Sequence, residues 1–342
     1  MIITRGFEGL REIGTKNVGI AELIDKAEDM EKKWRDDFVI GNQAVPVELT
    51  PNLTARYHAG SGNYIESDLT ETAFTQLCQK AGVPGSYVRK CFEFGREDLA
   101  IKNFESWAHV ATQDPTSLRL RVYDDVVHAA LSMQYSPFDH PEILYGVDRA
   151  VGHDGRYEAN EAFLSPDHMH IRFVDFNNPL KIHGDKMYSG FTVSSSNIGS
   201  GAFAIKYFLY RFACKNGIVR VQHGGVLFRQ THLKAFMENG EELFKVAIDK
   251  MHALDAIAET QISSAMSKKL SLQEMAFYLD KAQKELHIGK KGRENLETLL
   301  STTYDPTLWG FVNSVTENSK IYTLENRVDM EQWAGNILSN AA

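Results

Sequence analysis

GAFAIKYFLYRFAC, residues 201–214, holds Phe203, Tyr207, Phe208, Tyr210 and Phe212 within ten positions, and its reading decides how the centre of the chain is built. Read as a strand, it meets Asn216-Gly217 as a hairpin turn. Read as a helix, it starts at Ser200 as N-cap and stops at Gly217. Phe203, Tyr207, Tyr210 and Cys214 follow one another at steps of four, three and four, and this favours the helix. On either side the period shortens to two. HMHIRFVDF (168–176) and MYSGFTVSS (187–195) alternate in pieces, and Gly217–Gln222 and Val226–Thr231 read as two short strands.

Further upstream, SLRLRVY (117–123) places Leu118, Leu120 and Val122 on one face and Arg119, Arg121 and Tyr123 on the other, the pattern of a half-exposed strand. Asp124-Asp125 turns it into a second strand, Val126–Leu131. Residues 20–34 carry Ile20, Leu23, Ile24, Ala27, Met30 and Trp34 at helical spacing, and Thr70 opens a second helix closed by Gly82 and Pro84. Another helix runs through Leu99, Phe104 and Trp107, while residues 37–66 read as short extended segments. Past Gly240 three helical stretches follow, marked by Leu243–Ala258, Met275–Leu286 and Leu296–Leu300. The expected fold is α+β: a central antiparallel β-rich region flanked by helices, with an all-helical C-terminal region. Asn239-Gly240 is the expected boundary between an α+β domain (1–239) and the helical region (240–342).

Of the 342 residues, 43% are apolar, 24% are charged and nine are proline, which excludes disordered, collagen-like and disulfide-scaffold classes. No run approaches the roughly 18 apolar residues of a membrane helix, and Met1–Arg11 has no apolar run of signal-peptide length, so no membrane association and a cytoplasmic location are expected. Cys78, Cys91 and Cys214 are odd in number and without a CxxC spacing, as suits small buried hydrophobes.

Charge is unevenly placed. The chain carries a net −8, yet residues 168–235 hold nine basic and two acidic side chains, a net +7. The basic residues are Arg172, Lys181, Lys186, Lys206, Arg211, Lys215, Arg220, Arg229 and Lys234. A basic island in an acidic chain orients a polyanion onto one face, and nucleic acid is the foremost polyanion. The alternative is that neighbouring acidic segments neutralise the island in space.

Enzyme templates fare poorly. Gly289-Lys290 is followed by Lys291, so no phosphate-binding P-loop is present, and nucleophile-elbow, zinc-protease helix, EF-hand and paired-cysteine patterns are absent. Ser194–Gly201 is a small-residue loop able to hold a phosphate if a helix begins there, with Lys206 nearby. His168 and His170, at i and i+2 beside Asp167 and Asp175, sketch a metal site without a third motif-spaced ligand. Asp124-Asp125 offers carboxylates to a nuclease, or simply a turn. No cofactor is expected.

LCQKAGVPGSY (77–87), LSMQYSPFDH (131–140), SSSNIGSGAFAIKYFLYRFACKNGIVR (194–220) and residues 308–335, including TLWGFVNSVTEN, Arg327 and EQWAG, together resemble the phage/plasmid-like family catalogued as domain of unknown function 932. The resemblance runs from about residue 70 onward and is most specific around Arg211, Cys214, Asn216 and Gly217. Ser196-Asn197-Ile198-Gly199 stands where family members often carry Ser-Glu-x-Gly, which removes an acid from that position. The resemblance implies a mobile-element origin and no assigned reaction.

Such genomes commonly encode proteins that coat single strands and anneal them. The expectation is therefore a single-stranded nucleic-acid-binding protein, a homo-oligomer, with Arg172, Lys206, Arg211, Lys215, Arg220 and Arg229 on phosphates and Tyr207 or Tyr210 stacking on bases. The rivals are a metal-dependent nuclease using Asp124, Asp125, Asp167, His168 and His170, and a host-factor-binding protein that docks through its C-terminal helices.

Overall fold

The computed structural model describes residues 19–39, 47–58, 64–111, 118–151, 156–182, 185–211, 216–218, 226–230, 240–302 and 305–339. The strands are β1 (Trp34–Val39), β2 (Val47–Leu49), β3 (Ala55–His58), β4 (Tyr64–Ser67), β5 (Leu118–Tyr123), β6 (Val126–Ser132), β7 (Tyr157–Leu164), β8 (His168–Ile182), β9 (Asp185–Ser196), β10 (Phe203–Arg211), β11 (Asn216–Ile218) and β12 (Val226–Gln230). The helices are α1 (Ile20–Glu31), α2 (Glu71–Ala81), α3 (Gly85–Glu93), α4 (Glu97–Ala111), α5 (His140–Val151), α6 (Gly240–Ser267), α7 (Leu272–Glu285), α8 (Lys290–Thr302), α9 (Leu308–Asn318) and α10 (Leu324–Ser339). The fold is α+β.

Three antiparallel sheets form: β1-β5-β6, β2-β3-β4, and a large one ordered β11-β10-β9-β8-β7 with β12 also pairing β10. Antiparallel order follows from short connections between sequential strands. The two small sheets and α2–α4 enclose one core, in which Leu120, Val122, Phe74 and Phe104 are fully buried. The large sheet encloses another with α1, α5 and the C-terminal helices, so residues on both sides of position 240 share the same apolar interior. Free Cys78 and Cys91 are buried, and burial pushes the Cys78 thiol up to about 12.

The expected helix over Gly201–Cys214 is instead β10, which pairs with β9 from Ala204 opposite Ser194 to Arg211 opposite Met187. Both faces of this strand are buried. Phe203, Ile205, Tyr207 and Leu209 enter the main core, while Phe208 and Tyr210 pack against Val174 and Tyr188 on the reverse side. A strand covered on both sides shows no alternation of apolar and polar residues, so its aromatic spacing mimics a helix. Asn216 and Gly217 lie within β11, paired with Arg211 and Tyr210, and are not the turn itself. The small-residue loop after β9 consequently leads into a strand, and it has no helix N-terminus with which to hold a phosphate.

Elsewhere local chemistry sets the boundaries. Thr70 caps α2 by accepting the Ala73 N–H at 3.2 Å, and Gly82 ends it with φ +71°. Helix α1 ends at Glu31, and Trp34 begins β1. At Gly190 a Cβ would stand 2.3 Å from the Phe173 carbonyl and 2.7 Å from the Phe208 ring, so only glycine lets that ring lie across β9.

Candidate functional site

Residues directly opposite one another in an antiparallel pair project to the same face, and this rule distributes the basic island. Glu161 stands opposite Arg172, Arg172 opposite Thr192, and Thr192 opposite Lys206. One step along the strands, His170, Ser194, Ala204 and Arg229 form a second row. Arg172, Lys206, Arg229 and Tyr210 thereby share the sheet face that points away from Phe173, Ile205 and Tyr207. Alternation sends Tyr207 and Arg211 to the opposite face.

Within this face burial separates the roles. Arg229 is exposed and Lys206 half-buried. Arg172 is only 2% exposed and is held by Glu161 at 3.0 Å and by a direct ion pair to Glu331 of α10. Arg327 closes the ring, 2.7 Å from Glu161 and 3.0 Å from Glu331. Two guanidiniums and two carboxylates balance, so Arg172 fastens α10 to the sheet and is not placed to grip a phosphate. His170 is kept from charging: burial, then Arg172, Lys206 and Arg327, push its imidazole down to about 3. Its Nε2 is enclosed and has no hydrogen-bond partner.

The other expected contacts also require correction. Tyr207 is fully buried and its hydroxyl donates to Asp255 of α6 at 3.0 Å, with burial holding its pKa well above the usual value, so it stacks on no base. Tyr210 is enclosed, edge-on to Phe176 at 5.9 Å. Arg211 is half-buried against α9, its guanidinium 3.3 Å from Asn313 Oδ1 and 6.0 Å from the Trp309 ring centre. Lys215 and Arg220 lie outside the described residues.

A second polar group gathers where β5 and β6 meet the ends of β8 and β9. Arg121, expected on the exposed face of its strand, is buried: it reaches Asp36 at 3.2 Å, Asp139 at 2.7 Å and the Asn197 carbonyl at 3.0 Å. His128 Nδ1 lies 2.6 Å from Asp167. His168 Nε2 lies 2.6 Å from Ser200 Oγ, which is itself 2.8 Å from Ser196 Oγ. Asp175 pairs with Arg156 at 2.8 Å, so Asp167, Asp175 and His168 each take a separate partner while His170 lies enclosed on the sheet. Asp124 and Asp125 form a tight turn with φ +46° and +65°, paired with Lys33 at 2.9 Å and Arg35 at 2.5 Å. Among the described residues no group of three or more His, Cys, Asp or Glu side chains is placed to hold a metal ion.

Sequence reasoning missed Glu161, Glu331, Asp36, Asp139 and His128. Glu331 meets Arg172 across 159 positions, and no local pattern announces such a partner.

The molecule is thus an α+β protein organised around an antiparallel sheet, one face of which carries Lys206 and Arg229. The family model described as a domain of unknown function (DUF932) matches residues 127–332, well over half of the chain, and the chain belongs to that family. The match starts in β6 and ends within α10, which takes in the whole large sheet. No curated protein matches, and no solved structure does.

Proposed function

We propose that this chain binds the backbone of single-stranded nucleic acid, as a homo-oligomer of the phage or plasmid type, through the face of the large sheet that carries Lys206 and Arg229. The supporting observation is the register, which aligns the half-buried Lys206 and exposed Arg229 on one face beside a histidine kept uncharged. With Tyr207 and Tyr210 enclosed, affinity comes from phosphates more than from stacking, so binding tolerates any base sequence and depends steeply on salt. Each phosphate neutralised on a single strand contributes about 0.7 to the slope of log affinity against log salt.

Fluorescence-anisotropy titration of a labelled single strand and of its duplex, at two salt concentrations, tests this. Tight, salt-sensitive binding that favours the single strand is expected. In Lys206→Glu/Arg229→Glu the affinity falls and the slope shrinks by about 1.4, two phosphate contacts' worth. An unchanged slope in that variant removes the face from the binding site.

A further inference from the structure

The loop after β9 carries a hydroxyl–imidazole pair that neither the packing nor strand binding uses. Ser200 is exposed at the loop tip, next to Gly199 with φ +70°. Its Oγ lies 2.6 Å from His168 Nε2 and 2.8 Å from Ser196 Oγ. Ser196 Oγ accepts the N–H groups of Ile198 and Ser200, each at 3.3 Å, which directs its own proton toward Ser200 Oγ. With His168 Nε2 unprotonated, the Ser200 proton points at it. Ser196 thus donates to Ser200, and Ser200 to His168, an arrangement in which each bond strengthens the next.

The backbone that carries the base is anchored. The His168 N–H donates to Ser165 Oγ at 3.0 Å, and its carbonyl accepts from the Ser165 N–H at 2.9 Å and the Ser165 hydroxyl at 3.1 Å. A solvent-facing serine within hydrogen-bond reach of an imidazole carried on an anchored strand end is the geometry of an activated nucleophile. We propose that Ser200 is a nucleophile with His168 as its general base, at a site that takes acyl groups from carboxylic esters or thioesters.

The surrounding charges favour a neutral carbonyl over a phosphoryl group. Asp167 adjoins His168, and the neighbouring cation Arg121 is already taken by Asp36 and Asp139. A phosphoryl oxygen would therefore find the Arg121 guanidinium already neutralised. In the proposed step Ser200 Oγ attacks the carbonyl carbon as His168 Nε2 takes the hydroxyl proton. The carbon–oxygen or carbon–sulfur bond of the substrate breaks, and the leaving alcohol or thiol carries that proton away. Water then attacks the acyl-serine, His168 accepts its proton and returns it to Ser200 Oγ, and a carboxylic acid departs.

The test treats the full chain with p-nitrophenyl acetate, follows p-nitrophenolate release, and maps acetylated peptides by mass spectrometry. A burst of release with acetyl on Ser200 is expected, absent in Ser200→Ala and slower by about 100-fold or more in His168→Gln. The pH dependence of acylation follows a single imidazole titration and disappears in His168→Gln. Thermal melting shows that both variants stay folded. Acetylation confined to other residues, or acetylation of Ser200 at the same rate in His168→Gln, overturns the proposal.

Discussion

At the scale of single residues, His170 illustrates how position sets chemistry. Its imidazole is pushed to about 3 by burial and by the nearby cations Arg172, Lys206 and Arg327. The unfolded chain binds a proton at this position once pH falls below about 6.5, whereas the folded chain resists until about 3. The unfolded state therefore holds more protons within that window, and stability present above about 6.5 is lost as pH falls through it. Urea unfolding at about pH 7.5 and about pH 5 measures the effect. The wild-type chain is expected to lose more stability between the two than His170→Gln, and equal losses would show that His170 charges freely in the folded state. Nothing in HMHIRFVDF marks one histidine for enclosure and the other for a serine, because that choice depends on Lys206 and Arg327, which arrive from β10 and α10.

At the scale of elements, β10 shows what periodicity conveys and what it does not. The alternating β8 and β9 segments were legible as strands, and so were α1, the Thr70 cap and the helical character past Gly240. The helices have a wet face or a cap whose chemistry is local, and β8 and β9, although buried for most of their length, alternate because polar Arg172, Thr192 and Ser194 take one side and apolar Ile171, Phe173 and Val193 the other. Strand β10 is buried on both faces except at half-buried Lys206 and Arg211, so its pattern carried no period of two, and only its partners β9, β11 and β12 define it. Gly190 is where this two-sided burial is tightest, since the Phe208 ring and the Phe173 carbonyl occupy the space of a side chain. Gly190→Ala is expected to cost about 3 kcal/mol or more, because the obstruction on one side is backbone and cannot rotate away. Chemical denaturation reads this directly. A loss below about 0.5 kcal/mol, the scale of an ordinary surface substitution, would mean that β9 and β8 separate more easily than their register implies.

At the scale of the whole molecule, the charge asymmetry of the sequence takes its meaning from three dimensions. The count included Lys206 and Arg229, which share one face. It also included Arg172, which Glu161 and Glu331 neutralise from β7 and α10, partners far outside the island in sequence. Among the described residues no helix is long and apolar enough to cross a membrane. On α7, Leu272 is 90% exposed and Phe277 61% exposed, two large apolar side chains open to solvent. Sedimentation velocity of the wild type and of Leu272→Ser/Phe277→Ser tests whether they join copies in the proposed homo-oligomer. The wild type is expected to sediment as an oligomer and the variant as a monomer, whereas identical sedimentation of the two would place any self-association elsewhere.

The central claim is that the sheet face carrying Lys206 and Arg229 meets a phosphate backbone, and the salt dependence of single-strand affinity tests it most directly. Wild-type chain is expected to bind a labelled single strand tightly at low salt and weakly at high salt. Lys206→Glu/Arg229→Glu is expected to bind weakly at both, with a slope smaller by about 1.4. Failure of the wild-type protein to bind the single strand at low salt would contradict the account.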